Sequence, residues 1–405
     1  MTAHPWIQRT RLQILPGTAV LGALSVCLIG LAPAAEAADV QPQQWYLKAM
    51  QAEKMWKVST GKDIKVAVVD SGVDPSTSSL KGRVVQGEDF SRAPGDETRD
   101  DLGHGTTMAE LIAGTGHGGI KGLAPGAKIV PFRINGEGVK GASSQKDLKI
   151  GDAIRAAANS DARIINLSFG GDPLPDLKEA VKYAVKKGKL LFAAAGNDAK
   201  KGNLPNFPAA YADVVDVAAF DRTGTAADYS NHSQRTILAG PGVSVPGWCD
   251  GQKKKYCSRG GTSAATALAS ASAALIWSHH PKWTSNQVLR VLIKTAGLEG
   301  EGKEPSEYLG FGSVRPRINL LENKGDPGDP DISPLTGEKT LSVKRPGAAS
   351  GAQDSGKKTA EGPTKVADST AGGGGANSVL PVVGITAGVV ILVACGFAFV
   401  RIRRN

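Results

Sequence analysis

Lys65-Val66-Ala67-Val68-Val69-Asp70-Ser71-Gly72-Val73-Asp74 opens with a β-branched apolar run and ends it on a carboxylate. A near-continuous apolar strand is the signature of a sheet buried on both faces, and so of parallel pairing beneath helices. The surrounding sequence repeats the theme. Strand-like runs are expected at 65–69, 128–134, 163–167, 189–195 and 214–220. Helical patterns are expected at 104–113, 144–158, 174–187, 262–277 and 284–295. Strands alternating with helices predict an α/β fold with a mostly parallel sheet and helices on both faces. The part from 38 to 320, about 280 residues, suffices for one large core.

The flanks read differently. Residues 1–37 have the layout of a secretory signal: His4, Arg9 and Arg11, then an apolar run, then Ala35-Glu36-Ala37 as a small-x-small cleavage site. The mature chain is expected to begin at Ala38, the alternative being a retained signal anchor. Residues 321–378 are rich in Gly, Pro, Ser, Lys and Asp and poor in aromatics, which predicts a disordered linker. Its r.m.s. span would be roughly 40 Å. Residues 379–400 form an uncharged stretch of about 22, long enough to cross a bilayer. Arg401, Arg403 and Arg404 in the tail 401–405 place that end in the cytoplasm and the globular part outside.

The formal net charge is +10. No stripe of Lys or Arg interleaves with aromatics, so nucleic acid is not an expected partner. Of the 4 cysteines, Cys27 and Cys395 lie in the apolar ends. Cys249 and Cys257 lie alone in the exported part and are expected to pair. Lys253, Lys254 and Lys255 between them read as a solvated loop tip.

Three short patterns carry candidate chemistry, each placing a reactive residue where a strand or loop meets a helix. Asp70 ends the first strand. His104 lies in Gly103-His104-Gly105-Thr106, with glycines that let the backbone approach closely. Ser263 lies in Gly260-Gly261-Thr262-Ser263-Ala264-Ala265, at the start of a helix whose free N–H groups suit an oxyanion. Taken singly, the aspartate reads equally as a turn cap and the serine as a helix cap.

Together, in the order Asp, His, Ser, they resemble the subtilisin-like serine proteases, the subtilases. The segment Ala193-Ala194-Ala195-Gly196-Asn197 is similar to the one that carries that family's oxyanion-hole asparagine. The resemblance implies a serine endopeptidase acting on polypeptides without a cofactor. In it Ser263 attacks, His104 moves the proton, Asp70 holds the imidazole, and Asn197 with the Ser263 N–H binds the oxyanion.

The same resemblance makes Ser168, Phe169 and Gly170 a substrate-binding strand. Ala194 and Gly196 become the facing wall of the first specificity pocket, with Asn206 near its floor. No acid is expected there, so strict Lys/Arg specificity is not expected. Ala264 and Ala267 depart from the family's usual Met and Pro after the serine, which affects helix packing rather than the three chemical residues. No calcium or other metal ligand set is assigned.

The layout of signal, short N-terminal segment, catalytic part, linker and terminal span is similar to the mycosins, membrane-anchored subtilases of type VII secretion. Gln44-Trp45-Tyr46-Leu47 and Ala52-Glu53-Lys54-Met55-Trp56 add to that likeness. About 27 residues before Lys65 are too few for an independent inhibitory domain. Trp45, Tyr46, Met50 and Trp56 are expected to dock that segment permanently. Two other roles stay open: a structural subunit of the secretion complex with dispensable catalysis, and a general cell-surface protease.

Overall fold

The computed structural model describes residues 40–134, 149–298 and 304–340. The expected signal 1–37, the span 379–400 and the tail 401–405 lie outside those residues. Among the described residues no helix is long and apolar enough to cross a membrane.

The apolar run chosen from sequence forms β1 (Lys65–Asp70), with Val66 to Val69 all buried. Around it lie β2 (Glu88–Asp89), β3 (Lys128–Arg133), β4 (Ile164–Leu167), β5 (Leu190–Ala194), β6 (Val215–Phe220) and β7 (Leu238–Pro241). They make one sheet in the order β2-β3-β1-β4-β5-β6-β7, parallel throughout. The chain runs from β1 to β3 on one side, then resumes with β4 on the other. The carboxyl edge at β1 and β4 is therefore the crevice where open α/β sheets place their sites.

Alternation along β1 sorts its side chains between two cores. Val66 and Val68 pack with α3 (His104–Ala113), α6 (Thr262–His279) and α7 (Ser285–Lys294). Ala67 and Val69 pack with α4 (Ile150–Asn159) and α5 (Pro175–Lys186) on the opposite face. α6 is buried along nearly its whole length, which its run of Ala and Ser permits. Its hydroxyls are satisfied internally: Ser270 Oγ donates to Asn166 Oδ1 at 3.0 Å and Ser272 Oγ to the Leu268 carbonyl at 2.8 Å. An antiparallel hairpin, β8 (Val243–Trp248) and β9 (Tyr256–Gly260), leads into α6.

Both ends of the catalytic body are more integrated than composition suggests. Tyr46 of α1 (Trp45–Ala49) and Met55 of α2 (Ala52–Trp56) are fully buried. Trp45 Nε1 donates to the Val243 carbonyl at 3.1 Å and Trp56 Nε1 to that of Leu123 at 2.9 Å. At the other end the body continues past 320, where the linker was expected to start. After α8 (Pro316–Glu322) the chain returns over α7. Arg290 donates to the carbonyls of Pro327, Asp329 and Ile332, and Asn286 Nδ2 to Pro330 O at 3.0 Å and Thr340 Oγ1 at 2.7 Å. These contacts hold backbone rather than apolar side chains, so a Pro/Gly/Asp composition conceals them. The rest of the expected linker, from 341, lies outside the described residues.

Candidate active site

Asp70 closes β1 and is almost fully buried. Its Oδ1 accepts the Ser71 N–H at 2.8 Å and lies 2.7 Å from His104 Nδ1. That contact assigns the Nδ1 proton toward the carboxylate and leaves Nε2 unprotonated in the neutral ring. Burial lowers the imidazole pKa, but the charge and hydrogen bond of Asp70, with Asp100 adding, outweigh it against a small opposing effect of Arg259. The net direction is upward from the ordinary value.

His104 opens α3, and the loop before it is organised by a residue that sequence reading missed. Asp100 Oδ1 accepts from Ser71 Oγ at 2.8 Å, Leu102 N at 3.1 Å and Gly103 N at 2.8 Å. Its Oδ2 accepts from Thr106 N at 2.8 Å and Thr106 Oγ1 at 2.6 Å. Ser71 Oγ in turn accepts the Gly105 N–H at 3.0 Å. An aspartate just ahead of a helix start is a capping signal, and that was the available clue.

Ser263 stands in the first turn of α6. Gly260 and Gly261 take φ of 133° and 110°, open to glycine, and a Cβ on Gly260 would lie 2.1 Å from the Gly242 carbonyl. Ser263 Oγ donates to the Ser168 carbonyl at 3.0 Å, and Ser168 Oγ donates back to the Ser263 carbonyl at 3.1 Å. Among the described residues no hydrogen bond joins Ser263 to His104.

Asn197 follows β5. Its Oδ1 accepts Thr262 N at 2.9 Å and Thr262 Oγ1 at 3.2 Å. A backbone N–H only donates, so the facing atom is oxygen and the exposed amide keeps both N–H donors.

Ser168, Phe169 and Gly170 leave the end of β4, and Ala194 and Gly196 lie at the end of β5. Asn206 joins these walls: its Nδ2 donates to the Ala194 carbonyl at 2.8 Å, and a Cβ on Gly170 would meet it at 1.9 Å. Behind Asn206 lies a cavity of about 300 Å³ lined by Ala195, Leu204, Asp216, His232 and Arg235 among others. Asp216 also lines this cavity. Burial pushes its carboxyl up to about 7, with Arg235 drawing it back. Inside Val215-Asp216-Val217 it reads as one polar residue within a strand, and nothing local marks it.

Cys249 and Cys257 are bonded, with Cα atoms 5.1 Å apart. Of the lysines between them, Lys254 and Lys255 are exposed as expected, but Lys253 is tucked inward, its side chain only 12% exposed. Among the described residues no group of three or more His, Cys, Asp or Glu is placed to hold a metal ion.

A buried carboxylate on an imidazole, with a helix-start serine and an anchored carboxamide on the same sheet edge, is the architecture of a serine hydrolase. The description "Subtilase family" matches residues 61–313, and the chain belongs to that family and is a serine endopeptidase. The major intracellular serine protease of Bacillus subtilis (strain 168) is 35% identical over 270 residues, 63% of this chain and 83% of that one. Among solved structures, MycP1 from the ESX-1 type VII secretion system aligns at 25% identity and a TM-score of 0.63, covering 75% of this chain and 91% of that one. MycP3 protease from the type VII (ESX-3) secretion system aligns at 27% identity and 0.59, covering 72% and 90%.

Proposed function

We propose that Asp70, His104 and Ser263 are the catalytic triad of a membrane-anchored protease that trims proteins exported beside a type VII secretion channel. The observation that carries the chemical half is the 2.7 Å Asp70–His104 pair, which orients the imidazole toward accepting a proton at Nε2. In this reading Ser263 Oγ leaves the Ser168 carbonyl when a peptide docks, gives its proton to His104 and attacks the scissile carbonyl. The oxyanion is held by the Asn197 amide and the Ser263 N–H. His104 then protonates the leaving amine, and water reverses the sequence on the acyl-enzyme.

The peptide would lie extended along Ser168, Phe169 and Gly170, pairing backbone to backbone. The Asn206 amide, set between Gly170 and Ala194, would present a neutral carboxamide to the first pocket, which does not favour Lys or Arg there.

The cellular half rests on likeness to MycP1 and MycP3, whose structures are described as parts of type VII systems, and on the apolar stretch 379–400. With 341–378 left as the tether, the enzyme reaches roughly 35 Å from its anchor, at an effective concentration towards the millimolar range. The competing structural role is separable by one comparison, between wild-type and Ser263→Ala strains. The N-termini of exported proteins are mapped, and intact membranes are crosslinked in parallel. The reading expects hydrolysis to fall about a million-fold, a scale carried over from subtilisin, with specific cut sites lost. Secretion components should crosslink in both strains. Unchanged N-termini would contradict a proteolytic role, and an anchor without such neighbours would contradict the location.

A further inference from the structure

We propose that Lys253, presented by the disulfide-closed turn of the β8–β9 hairpin, is a positioning residue for His104. The proposal rests on the protease reading above. The Lys253 ammonium has three donors, and the structure supplies three acceptors. Nζ donates to the Asp100 carbonyl at 2.7 Å and to the Gly251 carbonyl at 2.8 Å, and lies 3.4 Å from Asp74 Oδ2.

Two of these acceptors belong to the loops that carry the Asp70–His104 pair. Asp100 is the hub of the loop entering α3, its carboxylate holding Ser71, Leu102, Gly103 and Thr106. Asp74 follows Asp70 by four residues, and its N–H donates to Thr106 Oγ1 at 3.0 Å in the first turn of α3. One partly buried ammonium therefore ties the loop after the carboxylate to the loop before the imidazole.

The turn itself is packed against the same loop. A Cβ on Gly251 would lie 1.8 Å from the Asp101 carbonyl, and one on Gly103 2.7 Å from that of Asp250. Lys253 holds a left-handed φ of 51° within the loop closed by Cys249 and Cys257. In its two flanking strands Gly247 pairs with Cys257 and Trp248 with Tyr256. The same hairpin then runs through Gly260 into Ser263. The crosslink thus fixes, on one short element, the approach to the serine and the clamp on the imidazole. A solvated tip would have no such contacts.

The full-length enzyme tests this by steady-state peptide hydrolysis in five forms: wild type, Lys253→Met, Lys253→Arg, Cys249→Ser/Cys257→Ser, and that pair combined with Lys253→Met. We expect Lys253→Met to lower kcat about tenfold with KM within twofold, and Lys253→Arg to recover most of that loss. The cysteine pair variant should lose a similar factor, and adding Lys253→Met to it should cost little more, because both act through one clamp. Should Lys253→Met fail to fold, Asp74→Asn removes one anchor of the same ammonium and should lower kcat severalfold. Undiminished kcat in the folded lysine variant, or in Asp74→Asn where that variant stands in for it, would overturn the proposal. So would fully multiplicative losses in the combination. A wild-type enzyme that cleaves no peptide would instead remove the protease reading, and this proposal with it.

Discussion

His104 and Ser263 face the same sheet edge but are held in different ways. On the imidazole side, Asp70 is 2.7 Å away, and Asp100, Ser71 and Lys253 bind the surrounding loops through charged and backbone groups. On the serine side, the hydroxyl has one neutral hydrogen bond, to the Ser168 carbonyl. A peptide pairing with residues 168–170 approaches that same backbone. In the proposed mechanism the contrast means that the base is organised before substrate arrives, at the expense of several buried polar groups, while the nucleophile would rest on a bond that substrate docking displaces. Charge-assisted bonds are roughly twice as strong as neutral ones, which fits that division.

Substitutions on each side sharpen the comparison. Asp70→Asn should keep the shape but remove the charge and tautomer control, lowering kcat by about 10⁴, the scale for the equivalent change in another serine protease. On the serine side, Asn197→Ala should lower kcat by about 10² to 10³ with KM nearly unchanged, a figure carried over from subtilisin. Steady-state kinetics on one substrate checks both. Equal small losses would mean that the imidazole side is not the preorganised one.

A smaller effect lies beneath the base. Glu110, on α3, is fully buried with Tyr256 Oη 3.0 Å from Oε2. Burial pushes its carboxyl up to about 7, with Ser79, Thr77, Tyr256 and Trp248 offsetting part of the rise. The folded state therefore binds this proton more tightly than the unfolded chain does. The associated stability is present below the ordinary carboxyl range and is lost as pH rises through about 7. Asp216 acts with the same sign. Wild-type stability should fall between pH 5 and pH 8. Glu110→Gln should reduce that slope, gaining about 1–3 kcal/mol over wild type at pH 8 relative to pH 5. Denaturant melts at the two pH values check it, and an unchanged slope would show that Glu110 does not set the dependence.

Much of this was legible in sequence, for reasons that differ by region. The apolar runs of β1, β3, β4, β5 and β6 announce a buried parallel sheet, and each observed strand falls within about two residues of its expected run. β7, with Leu238-Ala239-Gly240-Pro241, and the hairpin β8–β9, with glycines, Pro246 and lysines, carry little strand signal because their pairing is set by tertiary neighbours. Asp70, His104 and Ser263 stood out through their order, and Asn197 through its segment, because these resemble the subtilases; singly each had a local alternative. Asp100 and Lys253 did not, since an acid before a helix and a lysine in a polar loop are ordinary locally. What distinguishes them is the partner each meets across the fold. The bond from Ser263 to Ser168 is likewise a matter of one side-chain torsion, which no local pattern encodes.

The central claim is that Ser263 is a nucleophile activated by the Asp70–His104 pair, and covalent labelling tests it most directly. Full-length protein is treated with a fluorophosphonate across a pH series, and the adduct is located by peptide mass mapping. The account predicts one adduct, on Ser263, forming at a rate that rises with pH through a midpoint above about 6.5, the ordinary imidazole value, and abolished on the same timescale by His104→Ala. An adduct on another residue, or labelling of Ser263 at an undiminished rate in His104→Ala, would contradict it.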